Sequence, residues 1–347
     1  MIEILKLLKP YKSISIIGMT KNVGKTTTLN HILKEARGNL SLGLTSIGRD
    51  GEELDLVTAT EKPKIYIEKN TIVATAKECL LNSDFTKEII RTTGINTPMG
   101  EVIIARALSD GYVDLGGPSV NSYMTKIKDM LLELNCDLVI VDGALSRKTF
   151  ASPSITEATV LSTGAALAKS LNTVIRDTVH TINLLSIEKE ENKEVEQIAR
   201  DIMNLSAIGL IKKDNTYKIL NAKTALSSSK TIVEALSEEV SYLVIKGVVS
   251  DKLLTEIMTS TKEYKNIVII VEDGTKLFLS RDTLYKFQKQ GGTIRVLNKI
   301  NIVCVTSNPK APQGYEFSQK ELIDGLRNAI DLPVFDVIGG EWFEVFR

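Results

Sequence analysis

The chain has 347 residues, of which 43% are hydrophobic and 25% charged, so it is long enough for one large α/β domain or two lobes. Its 43 basic side chains balance 43 acidic ones, which excludes a strong overall field for nucleic acid or anionic membranes. Apolar runs are too short for a signal peptide or a transmembrane helix, and three widely spaced cysteines predict buried thiols. We therefore expect a cytoplasmic protein with neither nucleic-acid nor membrane partners.

The first predicted elements are a short helix before Pro10, a β-branched strand over 14–17 and an amphipathic helix. Between the strand and that helix lies GMTKNVGKT, which has the spacing G-x-x-x-x-G-K-T of a phosphate-binding loop. Glycines let main-chain N–H groups converge on phosphate oxygens, and the helix N-terminus adds further donors. We expect Lys25 to reach the terminal phosphates and the Thr26 hydroxyl to bind Mg²⁺. The predicted nucleotide-binding residues are Gly18, Thr20, Lys21, Asn22, Val23, Gly24, Lys25, Thr26, Thr27 and Asn308.

Strands and helices alternate along the rest of the first half. This alternation predicts an α/β fold with a doubly wound, mostly parallel sheet whose ligand lies at the carboxyl ends of the strands. The predicted elements begin with a strand over 40–45 and a hairpin or two short edge strands over 64–67 and 71–74. An apolar segment over 102–105 and a helix over 124–134 follow. Buried strands are predicted over 138–141 and 158–161, and a helix is predicted to begin at 163–166 after the second of them.

A phosphate loop needs an acidic residue at the end of a buried strand to hold Mg²⁺. Asp142 meets this requirement because it directly follows four apolar strand residues and precedes a glycine. Asp50 follows the second predicted strand, where it would bind metal, act as a base or position a water. Equally, SIGRDGEELD is a plain polar turn, in which Arg49 is a candidate phosphate contact and Glu52 and Asp55 are weaker acidic candidates. The predicted metal ligands are Thr26, Asp50 and Asp142, and the predicted catalytic residues are Lys25 and Asp50.

Three further groups have two interpretations each. Lys21 either extends into solvent or reaches a neighbouring subunit's phosphates; dimeric ATPases that use such a lysine place it where this chain has Met19, which favours solvent. The glycine turn at 116–119 and Arg147 either line a pocket for a second substrate or effector or are surface groups. Asn308 either recognises a nucleobase through its amide or forms the turn before a proline.

The second half repeats the α/β pattern without a second phosphate loop. The charged run at 188–196 is typical of a solvated helix face or a connection between lobes. We therefore place a P-loop nucleotide-binding domain at 1–187 and a second α/β lobe, for a partner or substrate, at 188–347. The strands predicted there cover 242–249, 266–271, 293–297, 302–306 and 333–337, with helices from Lys252, capped by Asp251, and over 317–330.

At the phosphate loop the chain resembles the SIMIBI class of phosphate-loop NTPases, and within it the dethiobiotin synthetase-like branch. The resemblance rests on GMTKNVGKTT, on the turn around Asp50 and on VIVDGAL, and it covers about the first half of the chain. It implies that Lys25 and Thr26 bind phosphate and Mg²⁺ while Asp50 and Asp142 complete the metal site. The chain departs from the synthetases in having TSIGRD where they carry a lysine-proline segment, which leaves their ligating chemistry in doubt.

The whole-chain pattern also resembles the phosphate-loop proteins that accompany adenosylcobalamin-dependent lysine and ornithine aminomutases. The segments TPMGEVIIARAL, YVDLGGPS and VDGALSRKTFASPS carry this likeness, which implies ATP-driven reactivation of the aminomutase. The first hypothesis is thus a Mg²⁺-dependent ATPase that drives a conformational change in a protein partner. The alternatives are a small-molecule kinase or ATP-dependent ligase and a nucleotide-binding protein without turnover. The lack of an NKxD guanine segment favours ATP over GTP, and the sequence leaves open whether the chain forms a homodimer.

Overall fold

The computed structural model describes residues 2–48, 65–143, 155–221, 228–336 and 343–344. The chain divides into two compact units, Met1–Val179 with Asn301–Arg347, and His180–Ile300. The sequence-based division differs, since it assigned all of 188–347 to the second lobe. The segment after residue 300 belongs to the first unit because its strands join that unit's large sheet.

Within the described residues the helices and strands alternate, as the sequence pattern predicts for an α/β protein. The helices are α1 (Ile4–Leu8), α2 (Lys25–Ala36), α3 (Lys77–Leu81), α4 (Asn121–Glu133), α5 (Leu171–Leu185), α6 (Lys193–Leu205), α7 (Ser229–Ala235), α8 (Asp251–Ser260), α9 (Arg281–Lys289) and α10 (Gln319–Ala329). The strands are β1 (Ile2–Glu3), β2 (Ser13–Gly18), β3 (Leu42–Ser46), β4 (Ile65–Ile67), β5 (Ile72–Ala76), β6 (Lys87–Thr97), β7 (Gly100–Ala107), β8 (Gly111–Val113), β9 (Leu138–Asp142), β10 (Ala158–Gly164), β11 (Ile208–Lys212), β12 (Tyr217–Ile219), β13 (Val240–Ile245), β14 (Val249–Ser250), β15 (Val268–Val271), β16 (Leu277–Phe278), β17 (Thr293–Val296), β18 (Ile302–Asn308), β19 (Val334–Asp336) and β20 (Phe343–Glu344).

The first unit is built on a mixed sheet with the order β19-β18-β10-β2-β9-β3-β5-β7-β6 among its described strands. From β19 to β5 every neighbouring pair is parallel. The sheet then ends in antiparallel pairs, β5 with β7 and β7 with β6. The strand β2, which precedes the glycine-rich loop, is therefore an interior strand between β9 and β10.

Apolar side chains cover both faces of this sheet. On β9, Leu138 and Ile140 join the cluster that contains Leu29 of α2. The alternate residue, Val139, joins the cluster that contains Ile127 of α4. A parallel sheet with two covered faces requires near-continuous apolar strands, which explains why the β9 sequence reads LVIV. Each fully buried Leu or Ile side chain contributes roughly 1.5–3 kcal/mol to this packing.

The second unit has a smaller sheet with the order β12-β11-β13-β15-β17 among its described strands. The strands β13, β15 and β17 are parallel, whereas β11 runs antiparallel to both of its neighbours. Helix α6 begins after Asn192, whose side chain accepts hydrogen bonds from the first-turn amides of Glu194 and Val195. Helix α8 begins after Ser250, whose hydroxyl accepts from Leu253 N at 3.3 Å.

Three sequence-based predictions of local structure are wrong in detail. The strands β4 and β5 do not form a hairpin, and β5 is not an edge strand, because it is wholly buried between β3 and β7, whereas β4 pairs with β8 in a separate two-stranded sheet. No helix opens at 163–166, since β10 continues to Gly164 and Ala165 N donates to Asn308 O at 2.8 Å. Asp251 is not the cap of α8; its carboxylate accepts from Ser280 N at 2.8 Å.

The cysteine prediction is confirmed, because Cys79, Cys136 and Cys304 are all buried and none of them forms a disulfide. Burial is also the main cause that raises the pKa of the Cys136 thiol to about 11, so this side chain behaves as a small apolar residue.

No helix in the described part of the chain is long and apolar enough to cross a membrane.

Candidate functional site

The carboxyl ends of five neighbouring strands meet at one edge of the large sheet. The parallel register pairs Ser162 of β10 with Gly18 at the end of β2, and it pairs Ser46 of β3 with Asp142 of β9. On the other side, the ends of β10 and β18 are paired at Gly164 and Asn308. Ligands of parallel α/β sheets bind at this kind of edge, so it is the place to examine for the predicted site.

The loop 19–24 connects β2 to α2 at this edge. Asn22 has φ 64° and Gly24 has φ 88°, both in the left-handed region. Gly18 is also sterically required, because a Cβ there would lie 2.9 Å from the Cγ2 atom of Val23. Main-chain hydrogen bonding fixes the start of the loop, where Met19 N donates to Ser162 O at 3.0 Å. The loop thus has the turned backbone that a ring of convergent N–H donors requires.

Lys25 is the first residue of α2, and its side chain turns to the end of β9. Lys25 Nζ donates to Asp142 Oδ1 at 2.7 Å, and the two side chains are 23% and 19% exposed. The sequence assigned these two residues to one site although they are 117 positions apart. The structure brings them together because β9 is the direct neighbour of β2.

The three threonines after Lys25 differ in their surroundings. Thr26 is half-buried and Thr27 is exposed, whereas Thr28 is fully buried. The Thr28 hydroxyl lies 3.1 Å from Gly24 O and 3.1 Å from Thr306 Oγ1. Thr26 and Thr27 therefore occupy the accessible first turn of α2, where unpaired helix N–H groups favour an anion.

Asn308 lies at the end of β18 and is only 8% exposed. Its Nδ2 atom donates to Asn22 O at 3.1 Å, and its Oδ1 atom accepts from Lys310 N at 2.9 Å. Asn308 thus belongs to the same edge as the loop, and both polar ends of its amide contact main-chain groups. Recognition of a nucleobase by this amide stays a prediction.

The glycine turn at 116–119 lies beside the end of β3. Gly48 N donates to Pro118 O at 3.3 Å, and a Cβ on Gly117 would collide with the main-chain oxygen of Ser46. The end of β3 in turn meets Asp142, whose carbonyl accepts from Ile47 N at 2.8 Å. This turn therefore borders the strand that carries Asp142.

Several predicted site residues lie outside the described residues. These are Arg49, Asp50, Glu52, Asp55 and Arg147, and their predicted roles stay predictions. Lys21 is exposed on the loop. In the described part of the chain, no group of three or more His, Cys, Asp and Glu side chains is placed to hold a metal ion.

A buried hydroxyl network beneath the loop was missed by the sequence reasoning. Ser162 Oγ lies 2.8 Å from Thr306 Oγ1, which connects β10 and β18 to Thr28 of α2. All three side chains are fully buried, so their hydrogen bonds are necessary to offset the cost of desolvation. The signal for this network is the presence of hydroxyl residues at the ends of the two largely apolar segments ATVLSTG and IVCVTSN.

The pKa of His31, on the helix α2 that follows the loop, is changed by its surroundings. His31 Nε2 lies 2.8 Å from Glu35 Oε1. Burial nevertheless lowers the pKa of His31 from its ordinary value, because desolvation outweighs the attraction of the Glu35 carboxylate. Burial thus makes this imidazole easier to deprotonate than a solvent-exposed histidine.

Comparison of the chain with models of known protein families, with curated proteins and with solved structures gave no match. The functional conclusion therefore depends on the residues of the sheet edge themselves.

Proposed function

We propose that this chain is a Mg²⁺-dependent ATP-binding ATPase with a doubly wound P-loop fold of the SIMIBI class. Its nucleotide cycle would drive a conformational change in a protein partner. The observation that carries the proposal is the contact of Lys25 with Asp142 at 2.7 Å, at the ends of adjacent parallel strands. A cation on the loop and a carboxylate on the neighbouring strand are the two charged parts that a polyphosphate–metal site needs.

The loop supports the polyphosphate half of this proposal. Left-handed residues at Asn22 and Gly24 turn the backbone sharply just before α2. Main-chain N–H groups in such a turn bind an anion without an additional charged side chain. Lys25 would then bind the terminal phosphates and stabilise the charge that moves to the leaving oxygen.

The donor atoms at the edge fit a hard divalent cation. Thr26 offers a half-buried hydroxyl and Asp142 a partly exposed carboxylate, and Mg²⁺ prefers oxygen ligands of this kind. When bound, Mg²⁺ would neutralise charge on the phosphate oxygens. Asp50, the third predicted ligand and candidate base, lies outside the described residues, so no geometry is assigned to it.

The protein partner is proposed from the sequence likeness to proteins that accompany cobalamin-dependent aminomutases. In the reaction, a water oxygen would bond to the γ-phosphorus while the bond from the γ-phosphorus to the β–γ bridging oxygen of ATP breaks. ADP would leave with that oxygen, and the proton of the water would pass to the released phosphate or to solvent. Loops that contact the γ-phosphate change their order when it leaves, which is the usual way such a cycle reaches a partner. The turn at 116–119 is a candidate for such a loop because it packs on the end of β3, next to the strand that carries Asp142.

Calorimetry and phosphate release with Mg²⁺ and ATP test the proposal. Lys25→Ala should weaken ATP binding about 10- to 100-fold and abolish turnover, because charge-assisted hydrogen bonds to phosphate are lost. Lys34→Ala is the matched control, since Lys34 is an exposed lysine on the last turn of the same helix. Absence of any binding by the native chain would refute the proposal.

Addition of a purified cobalamin-dependent aminomutase should raise the hydrolysis rate, and an unchanged rate would count against this partner.

A small-molecule kinase or ATP-dependent ligase of the dethiobiotin synthetase type is the second candidate. The turn at 116–119 packs against the end of β3, beside the strand that carries Asp142, so an acceptor bound by this turn would lie close to the proposed phosphate site. A panel of small carboxylates and alcohols distinguishes the two functions. Acceptor-dependent release of ADP supports the kinase or ligase, whereas slow hydrolysis that no acceptor changes supports the partner-driven ATPase.

A further inference from the structure

Asn308 connects the last long strand of the first unit to the middle of the phosphate loop. Its Nδ2 atom donates to the carbonyl oxygen of Asn22 at 3.1 Å, across 286 positions of the chain. Its Oδ1 atom accepts from Lys310 N at 2.9 Å, which holds the amide plane in place from the other side. The side chain is 8% exposed, so the contact is largely shielded from competing water.

The contact with Asn22 matters because of the geometry of the peptide that follows. In a trans peptide the N–H of one residue points opposite to the C=O of the residue before it. A donor that holds the Asn22 carbonyl therefore also sets the direction of the Val23 N–H. Asn22 is a left-handed residue with φ 64°, a conformation that asparagine adopts more readily than most residues other than glycine.

A flip of the Asn22–Val23 peptide would exchange the places of a hydrogen-bond donor and an acceptor in the loop. Phosphate oxygens bind donors and are repelled by carbonyl oxygens, so the flipped loop would bind anions more weakly. Hydrogen bonds also hold the two ends of the loop, where Met19 N donates to Ser162 O and the Thr28 hydroxyl contacts Gly24 O. Asn308 donates a side-chain hydrogen bond to the middle of the loop, next to Val23, whose own side chain is buried.

We propose that Asn308 is a positioning residue that holds the Asn22–Val23 peptide in the orientation that binds polyphosphate. This inference rests on the proposed function and deepens it. Asn308 would contribute to binding of the phosphate chain, through the loop, rather than to binding of the nucleobase. It also replaces base recognition, one of the two roles that the sequence allows for this amide. The C-terminal strand β18 thereby becomes part of the phosphate site.

This role is tested by comparing two ligands, one that carries a nucleobase and one that does not. ATP and inorganic tripolyphosphate are titrated into the full chain by calorimetry with Mg²⁺. Asn308→Ala should weaken both ligands by the same factor, about tenfold for the loss of a shielded hydrogen bond that organises the loop. Weakening of ATP alone would overturn the inference in favour of base recognition, and unchanged binding of both ligands would overturn it outright.

The same strand supplies a matched control. Asn301 lies just before β18, at its opposite end, and its Nδ2 atom also donates to a main-chain oxygen, that of Glu157, at 3.0 Å. Asn301→Ala should leave the affinity for both ligands within twofold of the native chain. A general loss of affinity in both variants would show that any disturbance of β18 weakens the site, and it would overturn the specific role of Asn308.

A second variant covers the case in which Asn308→Ala does not fold. Asn308→Gln keeps the amide but moves it by one methylene group, so it should weaken both ligands equally and by a smaller factor. Equal affinity of this variant and the native chain would contradict the inference. If the native chain binds neither ligand, the proposed function itself is refuted. If the native chain binds both ligands and the variants bind them equally well, only the role of Asn308 is refuted.

Discussion

Lys25 and Asp142 form an ion pair in which Nζ lies 2.7 Å from Oδ1. In the proposed cycle both groups take new partners, because the ammonium would bind phosphate and the carboxylate would bind Mg²⁺. The pair therefore keeps both charges neutralised and in position before the ligand arrives. In that cycle a polyphosphate would have to replace the Asp142 carboxylate, which is already bound to the lysine.

Asp142→Asn should have opposite effects on ATP with and without Mg²⁺. With Mg²⁺, affinity should fall about tenfold, because a charged oxygen ligand of the metal is lost. With EDTA, affinity should rise several-fold, since Lys25 is released and a negative charge beside the phosphates is removed. Calorimetry under the two conditions measures both changes.

Asp137→Asn is the control for this pair of measurements. Asp137 directly precedes β9 at its opposite end, where its carboxylate accepts from Ser41 N at 2.8 Å. We expect this variant to leave both affinities unchanged. Equal weakening by Asp142→Asn in Mg²⁺ and in EDTA would contradict the exchange of partners.

Local sequence patterns were sufficient to place two charged residues of the candidate site, Lys25 and Asp142, at one edge of the sheet. The loop spacing before α2 and the run of apolar residues before Asp142 identified the two charged groups that the structure brings together. Alternation of strands and helices indicated that their strand ends share one edge. These features are local because a turn, a helix start and a buried strand each depend on consecutive residues.

The sequence alone did not predict which distant strands pair with each other. The strand β6, KEIIRTTGINT, lacks a clear apolar alternation and was not predicted, although it forms the edge of the large sheet. The contact of Asn308 with Asn22 depends on β18 being two strands away from β2, an order that no local pattern encodes. The same reason explains why β18 and β19 were assigned to the second lobe.

Glu196 in the second unit should make the stability of the protein depend on pH. The Arg200 guanidinium, followed by the Lys189 ammonium, lowers the pKa of this carboxyl to about 2. A lowered carboxyl pKa stabilises the fold above the ordinary pKa, and this stabilisation is lost as pH falls through the folded value. The free energy of unfolding of the native chain should thus exceed that of Glu196→Gln at pH 7, with the difference vanishing between about pH 4.5 and 2.

Urea titrations of both proteins at several pH values measure this difference. Glu194→Gln provides the comparison, because Glu194 is an exposed carboxylate on the first turn of the same helix. Its substitution should change stability little at any pH. A Glu196→Gln difference that stays constant from pH 7 to pH 3 would show that the ion pairs do not stabilise the fold.

Thr26→Val should separate the metal ligand from the rest of the phosphate loop. Valine keeps the branched shape of threonine but has no hydroxyl, so Mg²⁺ would lose one oxygen ligand. ATP affinity should fall about tenfold with Mg²⁺ and stay unchanged in EDTA, in contrast to the rise expected for Asp142→Asn. Thr26→Ser should restore Mg²⁺-dependent binding, and equal loss in valine and serine variants would contradict a role for the hydroxyl.

Thr306→Val tests whether the buried hydroxyls beneath the loop stabilise the first unit. Thr306 Oγ1 lies 2.8 Å from Ser162 Oγ and 3.1 Å from Thr28 Oγ1, and all three side chains are fully buried. The substitution removes a shared partner from two buried hydroxyls, which should lower the free energy of unfolding by about 1–3 kcal/mol. Thr306→Ser keeps the hydroxyl and loses one methyl group, so its cost should be about 0.8 kcal/mol. Urea denaturation measures both values, and a valine variant as stable as the serine variant would show that the network adds nothing to the fold.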